Sequence, residues 1–335
     1  MKRFCALTAC LLLVAAPAGA QPPGSGQGLI AGETNVTAQG PGGVLAGTLD
    51  APPGDVKGAP VAIIIPGSGA TDRNGDAPPG AGLTAQPYLL LAHALAPLGV
   101  ATLRIDKRGM YGSADAGDAN KILMSDNVAD LHAWAASAKA LTGAPCVWLI
   151  GHSDGGLQAL AAARANPKDL CGLVLIASPG RPFADILREQ LRANPANAPI
   201  LAEALADIDA LAAGQHIDQS HMTPVLLPLF RAAVQDYLID EFKYDPAKLA
   251  AAYPGPILVL QGTNDIQVSP VDAQRLAGAR PGIKLVELPG VNHVLKVAPL
   301  DRAANVATYN DPSLPLAPGI ADAIASFMRA PPAGS

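Results

Sequence analysis

Short β-branched and apolar runs alternate along this chain with segments whose apolar residues recur every three or four positions. Residues 33–39 and 44–49 flank Gly40-Pro41-Gly42-Gly43 and predict an N-terminal β-hairpin. After Pro52-Pro53-Gly54 the pattern changes. The continuous run at residues 61–65 reads as a strand covered on both faces. Tyr88, Leu91, Leu95 and Leu98 follow at helical spacing and end at Gly99; residues 101–105 form the next strand. Val128, Leu131, Ala135 and Ala138 mark a second helix, with Ser125 as its expected cap. A strand at 147–150, a helix at 155–166 stopped by Pro167, and a strand at 173–176 continue the series, and strands at 257–261 and 284–288 lead to a last helix at 320–328. This rhythm predicts an α/β fold with a mostly parallel, doubly wound sheet.

Between Pro179 and Tyr253 the alternation stops. Only helical patterns remain, at 186–191, 200–211, 226–242 and 247–253. The chain therefore divides into a core, 33–178 and 254–330, and a helical insertion at 179–253 expected to form a lid over the sheet's C-terminal edge. Its apolar residues, Leu226, Leu227, Leu229, Phe230 and Leu238, suggest a small to medium apolar acyl pocket.

The first 20 residues change the picture of where the fold begins. Lys2 and Arg3, an apolar stretch from Cys5 to Ala16 and Ala18-Gly19-Ala20 read as a secretory signal peptide cleaved before Gln21. Leu7-Thr8-Ala9-Cys10 faintly resembles a lipoprotein box but precedes most of the apolar region. The chain is expected to be exported, periplasmic or extracellular, with a Gly/Pro/Gln-rich leader at 21–32 and no membrane span. Losing Lys2 and Arg3 takes the net charge from −5 to −7, which argues against nucleic acid as a partner. Cys146 and Cys171 remain after cleavage, each just before a predicted strand, so the two fall within disulfide range if those strands are neighbours. Two free buried thiols are the alternative. Zinc-type cysteine or histidine spacing and phosphate-binding glycine loops are absent, so neither a metal nor another cofactor is expected.

The chemistry concentrates at Gly151-His152-Ser153-Asp154-Gly155, a G-x-S-x-G placed between a predicted strand and a predicted helix. That context makes it a nucleophile elbow, with Ser153 lifted from the sheet. A serine hydroxyl needs a base, and the base needs a carboxylate to fix its tautomer. His293, in the loop past the last strand, is the candidate base; His216 and His221 lie inside the insertion. Asp265, just past the strand at 257–261, is the candidate acid, and Asp272 is expected to be solvated on the next helix. The side chains of His152 and Asp154 should point away from the hydroxyl. Backbone amides of Asp154 and of Ser68, in Pro66-Gly67-Ser68-Gly69, are candidate oxyanion donors. Asp72, Arg73, Asp106 and Arg108 are expected to pair with one another and fix loops, with Arg73 and Arg108 as alternative substrate-binding cations.

Over residues 33–330 the chain resembles the α/β-hydrolase superfamily. More narrowly it is similar to secreted bacterial esterase-like hydrolases, through the P-G-S-G-x-T-D-R-[DN]-G block at 66–75. Three further blocks lie at Arg104–Gly109, Gly151–Gly156 and Leu288–His293. The resemblance implies the α/β-hydrolase fold, a Ser153–His293–Asp265 triad, and hydrolysis of small carboxylic esters through an acyl-enzyme without a cofactor. A His-Gly oxyanion motif found in many esterases is replaced here by Pro66-Gly67. A peptidase with the same triad remains an alternative, as does a non-catalytic binding module. A thioesterase acting on coenzyme A is disfavoured by export, and the oligomeric state is not legible.

Overall fold

The computed structural model describes residues 32–330. The expected signal peptide lies outside the described residues, as does the leader up to residue 31. Eight strands form one sheet: β1 (Glu33–Gly40), β2 (Gly43–Asp50), β3 (Val61–Ile65), β4 (Ala101–Ile105), β5 (Val147–His152), β6 (Leu170–Ile176), β7 (Ile257–Gly262) and β8 (Lys284–Leu288). Their order is β1-β2-β4-β3-β5-β6-β7-β8. β1 and β2 are the hairpin, β2 joins β4 antiparallel, and every later pairing is parallel.

Period-two alternation explains how the central strands are buried on both faces. Val61, Ile63 and Ile65 of β3 face a layer containing helices α2 (Met124–Thr142) and α3 (Asp154–Ala165). Ala62 and Ile64 face the opposite layer, built on α1 (Pro87–Leu95) and the C-terminal helix at Ile320–Arg329. Trp134 of α2 is fully buried against the hairpin side of the first layer. Leu123 caps α2 in place of Ser125. The Asp126 carboxylate accepts the Leu123 N–H at 3.0 Å, so an acid at the third helical position supplies the cap interaction.

The hairpin is tied to the sheet by a buried cation. Arg104 of β4 donates to Asp50 of β2 (2.9 Å) and to Glu33 of β1 (2.5 Å), and His93 of α1 lies 2.9 Å from the same Glu33 oxygen. Glu33, Asp50 and His93 bring ligand-type atoms within 4.8 Å of one another, but the guanidinium already supplies the positive charge among them.

The insertion contains α4 (Phe183–Ala193), α5 (Leu201–Ala212), α6 (Leu227–Phe230), α7 (Ala232–Glu241) and α8 (Pro246–Ala252). Two more core helices follow, α9 (Pro270–Gly278) and α10 (Arg302–Ala307), before the C-terminal α11 (Ile320–Arg329). From Ala184 to Phe242 the insertion's apolar side chains form a core of their own. α8 behaves differently: Ala250 and Tyr253 pack into the main core beside Ala273 and Leu276 of α9. The helix expected at 226–242 is split at Arg231, whose backbone is extended (φ −55°, ψ 150°). Buried Gln235 compensates the break by donating to the Phe230 carbonyl (2.7 Å) and exchanging hydrogen bonds with the backbone of Ile217.

Cys146 and Cys171 form a disulfide, with Cα atoms 5.2 Å apart. Cys171 sits inside β6, whose pairing with β5 places the two cysteines side by side.

Candidate active site

The elbow is built by steric exclusion. A Cβ at Gly151 would strike the Gly155 carbonyl, one at Gly155 would strike the Ile65 carbonyl, and one at Gly156 would meet the Ser178 side chain. Only glycine lets α3 start so close behind β5 and β3. Ser153 pays with its backbone, at φ 55° and ψ −126°, a conformation side-chain-bearing residues rarely hold outside functional sites.

β7 and β8 deliver the partners. The turn after β7 carries Asp265, whose Oδ1 accepts the N–H groups of Gln267 (2.7 Å) and Val268 (2.9 Å). Its Oδ2 lies 2.8 Å from Nδ1 of His293, and both side chains are buried. A carboxylate on Nδ1 holds that nitrogen as N–H and leaves Nε2 as the base. The His293 loop is anchored through Asn292, which donates to Thr308 Oγ1 (2.7 Å) and Asn305 Oδ1 (3.2 Å). Ser153 and His293 line one small cavity together with Ser68, His152 and Tyr309.

The loop after β3 is clamped from several sides. Lys107 Nζ donates to the carbonyls of Gly67 (2.7 Å) and Gly69, while Gly67 N–H donates to the Tyr88 hydroxyl (2.9 Å). Among the described residues, no partner takes the Ser68 N–H. Asp154 N–H is the first amide of α3, without an intrahelical acceptor and at the positive end of the dipole. A Cβ at Gly67 would lie 3.0 Å from Ser153 Cβ, so the loop passes directly over Ser153. Burial lowers Lys107 to about 8, opposed by the nearby Asp154. Asp72 ties the rest of the loop by accepting the N–H groups of Asn74, Gly75 and Asp76, and burial raises it to about 6.

Both arginines are held in ion pairs. Arg73 forms a two-pronged pair with Asp106 (3.0 and 2.5 Å) and reaches Thr48. Arg108 pairs with Asp130 (2.8 and 2.5 Å), not with Asp72 or Asp106, and it also lines the cleft beneath α7. Asp272 is also unlike its expectation: it is fully buried, accepting from Arg181 (2.9 and 2.7 Å) and the Gly180 N–H (3.0 Å).

A second cleft lies between the loop after β3 and the insertion, lined by Ser68, Met110, Ile122, Asp154, Val234 and Tyr237. Leu226, Leu229, Phe230 and Leu238 are buried in the insertion's own core and do not line it. The apolar acyl pocket expected from those leucines is therefore not what they build. Asp154 Oδ2 instead accepts from Gln158 (2.8 Å) and Tyr237 (3.2 Å), and the buried Glu241 carboxyl lies beside it, with Asp154 Oδ1 and Glu241 Oε2 left without a hydrogen-bond partner. Lys107, Tyr88, Tyr237 and Glu241 were not singled out from sequence. Only Lys107 carried a signal, as the cation beside Asp106 at the end of β4.

A match to the alpha/beta hydrolase family covers residues 63–309. The chain belongs to that family. The chain is 24% identical over 267 residues to Esterase EstD of Thermotoga maritima, over 78% of this chain and 60% of that protein. It thus spans about three fifths of that relative's length. Among solved structures it is similar to Est1E of Butyrivibrio proteoclasticus bound to ferulic acid, with a TM-score of 0.56 and 20% identity. That match covers 88% of this chain and 97% of the other. The alpha/beta hydrolase GrgF of a Penicillium species gives a TM-score of 0.54 at 19% identity, over 78% and 91% of the two chains. These two likenesses concern the fold.

Proposed function

We propose that this hydrolase cleaves small carboxylic esters by a serine mechanism with an acyl-enzyme intermediate. One observation carries the reading: a strained elbow serine shares a cavity with a histidine whose Nδ1 is held by a buried aspartate. His293 Nε2 takes the Ser153 proton as Oγ attacks the ester carbonyl. The Ser68 and Asp154 amides receive the oxyanion, donors commonly worth about 3 kcal/mol each. His293 then gives that proton to the leaving alcohol, and in deacylation it takes one from water.

The similarity to Esterase EstD supports the ester as substrate class. The cleft under α7 mixes Met110, Ile122 and Val234 with Asp154 and Tyr237, which favours short acyl groups over long aliphatic chains. The insertion roofs this cleft as a lid, and the chain is exported, a reading supported by the Cys146–Cys171 disulfide.

The test is turnover of p-nitrophenyl acetate, butyrate and octanoate, beside fluorophosphonate labelling, in wild type and Ser153→Ala. Turnover falling from acetate to octanoate, with both signals lost in the variant, is expected. Labelling at Ser153 with cleavage of aminoacyl amides but not esters would instead make it a peptidase.

A further inference from the structure

The side chain next to the nucleophile does not point into solvent or idle in the core. His152 is buried between Tyr88 and His293, with its ring 5.4 Å from the first and 4.7 Å from the second. Its Nε2 lies 2.8 Å from the backbone carbonyl of His293, and its Nδ1 lies 3.0 Å from the Tyr88 hydroxyl. The same hydroxyl lies 2.9 Å from the Gly67 amide nitrogen.

Hydrogen-bond chemistry leaves one assignment for these protons. A carbonyl only accepts, so Nε2 of His152 carries a proton. Burial, with His293 beside it, holds His152 neutral, down to about 3. Nδ1 is therefore bare and accepts, so the Tyr88 O–H donates to it. The Tyr88 oxygen then has lone pairs left for the Gly67 N–H. Three hydrogen bonds run in one direction, from Gly67 through Tyr88 and His152 to the His293 backbone.

We infer that Tyr88 and His152 are positioning residues that hold the oxyanion loop and the catalytic base in register with Ser153. The inference rests on the serine-hydrolase reading above. One end of the relay consumes the Gly67 N–H, while the neighbouring Ser68 N–H has no partner among the described residues. The other end fixes the peptide from which the His293 ring projects. The middle is the residue bonded to the nucleophile, so errors in the loop and in the base are referred to one origin. Small displacements of reacting groups carry large rate penalties, so fixing both on one reference acts on kcat.

The variants separate positioning from simple loss of packing. Tyr88→Phe keeps the ring and removes the hydroxyl. His152→Gln keeps a donor where Nε2 was, and His152→Asn keeps an acceptor where Nδ1 was but loses the bond to His293. For each, kcat and KM on p-nitrophenyl acetate are measured per site titrated with fluorophosphonate, so misfolded molecules do not count. We expect kcat to fall about tenfold in Tyr88→Phe and about 100-fold in His152→Asn, with KM within threefold. His152→Gln should recover at least a fifth of wild-type kcat. Values of kcat per titrated site within twofold of wild type in both Tyr88→Phe and His152→Asn would overturn the relay while leaving the serine mechanism intact. Equal losses in His152→Gln and His152→Asn would overturn the role of the His293 bond. A wild type that is neither labelled at Ser153 nor active would remove the serine mechanism and the relay with it.

Discussion

A carboxylate that accepts two backbone amides and an imidazole N–H has almost no freedom to turn, and Asp265 is held in that way. Replacing it by Asn keeps the shape but puts an amide donor or a neutral oxygen opposite His293 Nδ1, so the tautomer that frees Nε2 is no longer enforced. Asp265→Asn should lower kcat by roughly 10³–10⁴-fold, with KM changed little. Steady-state kinetics on a p-nitrophenyl ester check this, and a loss below tenfold would mean that another group orients the base. Ser153, Asp265 and His293 were legible in the sequence because each sits within a few residues of a strand end, where glycines and turn residues mark the place. Tyr88 and His152 were not legible as partners: they are 64 positions apart and meet only once α1 packs on the face of the sheet. Asp272 misled for the same reason, since Arg181, its partner, is 91 residues away.

Elements enter the site through what their ends hold. β4 ends in Asp106-Lys107, and Lys107 grips the carbonyls on both sides of Ser68. As pH rises through about 8, Lys107 loses its proton in the folded protein, and the clamp loses its charge. Activity should fall there. Stability should move the other way, because the unfolded chain holds this proton up to its ordinary value near 10.5 and so binds more protons in the window between. The check is a kcat profile from pH 7 to 9.5 beside unfolding curves at the same pH values. Lys107→Met should flatten the alkaline limb and lower kcat roughly tenfold, less than removal of an oxyanion donor itself. β5 and β6 are joined at their N-terminal region by Cys146–Cys171, closing a separation of 25 residues. The double variant Cys146→Ser/Cys171→Ser should lose about 3 kcal/mol and lower Tm by about 5 °C, measured by calorimetry. Adding reductant to the wild type should reproduce that shift. Strands were readable from β-branched runs because a doubly covered sheet admits little else. Helix ends were less so: Asp126 competes with Ser125 to cap α2, and Gln235 makes the break at Arg231 tolerable by reaching carbonyls that no local pattern reveals.

At the scale of the whole molecule, the insertion from α4 to α7 has its own core; it meets the rest of the chain through polar contacts around Asp154 and Asp272, while α8 packs into the main core. Periodicity located this segment and its helical character, but the direction of its apolar faces depended on how its helices pack on one another, so the leucines expected at substrate turned inward. What the insertion presents to the elbow is Tyr237 and Glu241 of α7, with Asp240 of the same helix accepting the Met124 N–H of α2 at 2.9 Å. Glu241 is buried beside Asp154, with Asp240 nearby. Burial first, and then Asp154, push its carboxyl well above 4.5. The folded protein therefore keeps a proton on Glu241 that the unfolded chain releases above about 4.5, and the wild type loses stability as pH rises through that range. An amide reproduces the protonated carboxyl: Glu241→Gln can donate to Asp154 without ever titrating. The variant should match the wild type near pH 4 and exceed it by a margin that grows as pH rises to 7.5, read as a higher Tm there. Thermal unfolding at pH 4, 5.5 and 7.5 measures the difference, and a gap that stays constant with pH would show that Glu241 is not where the proton is held.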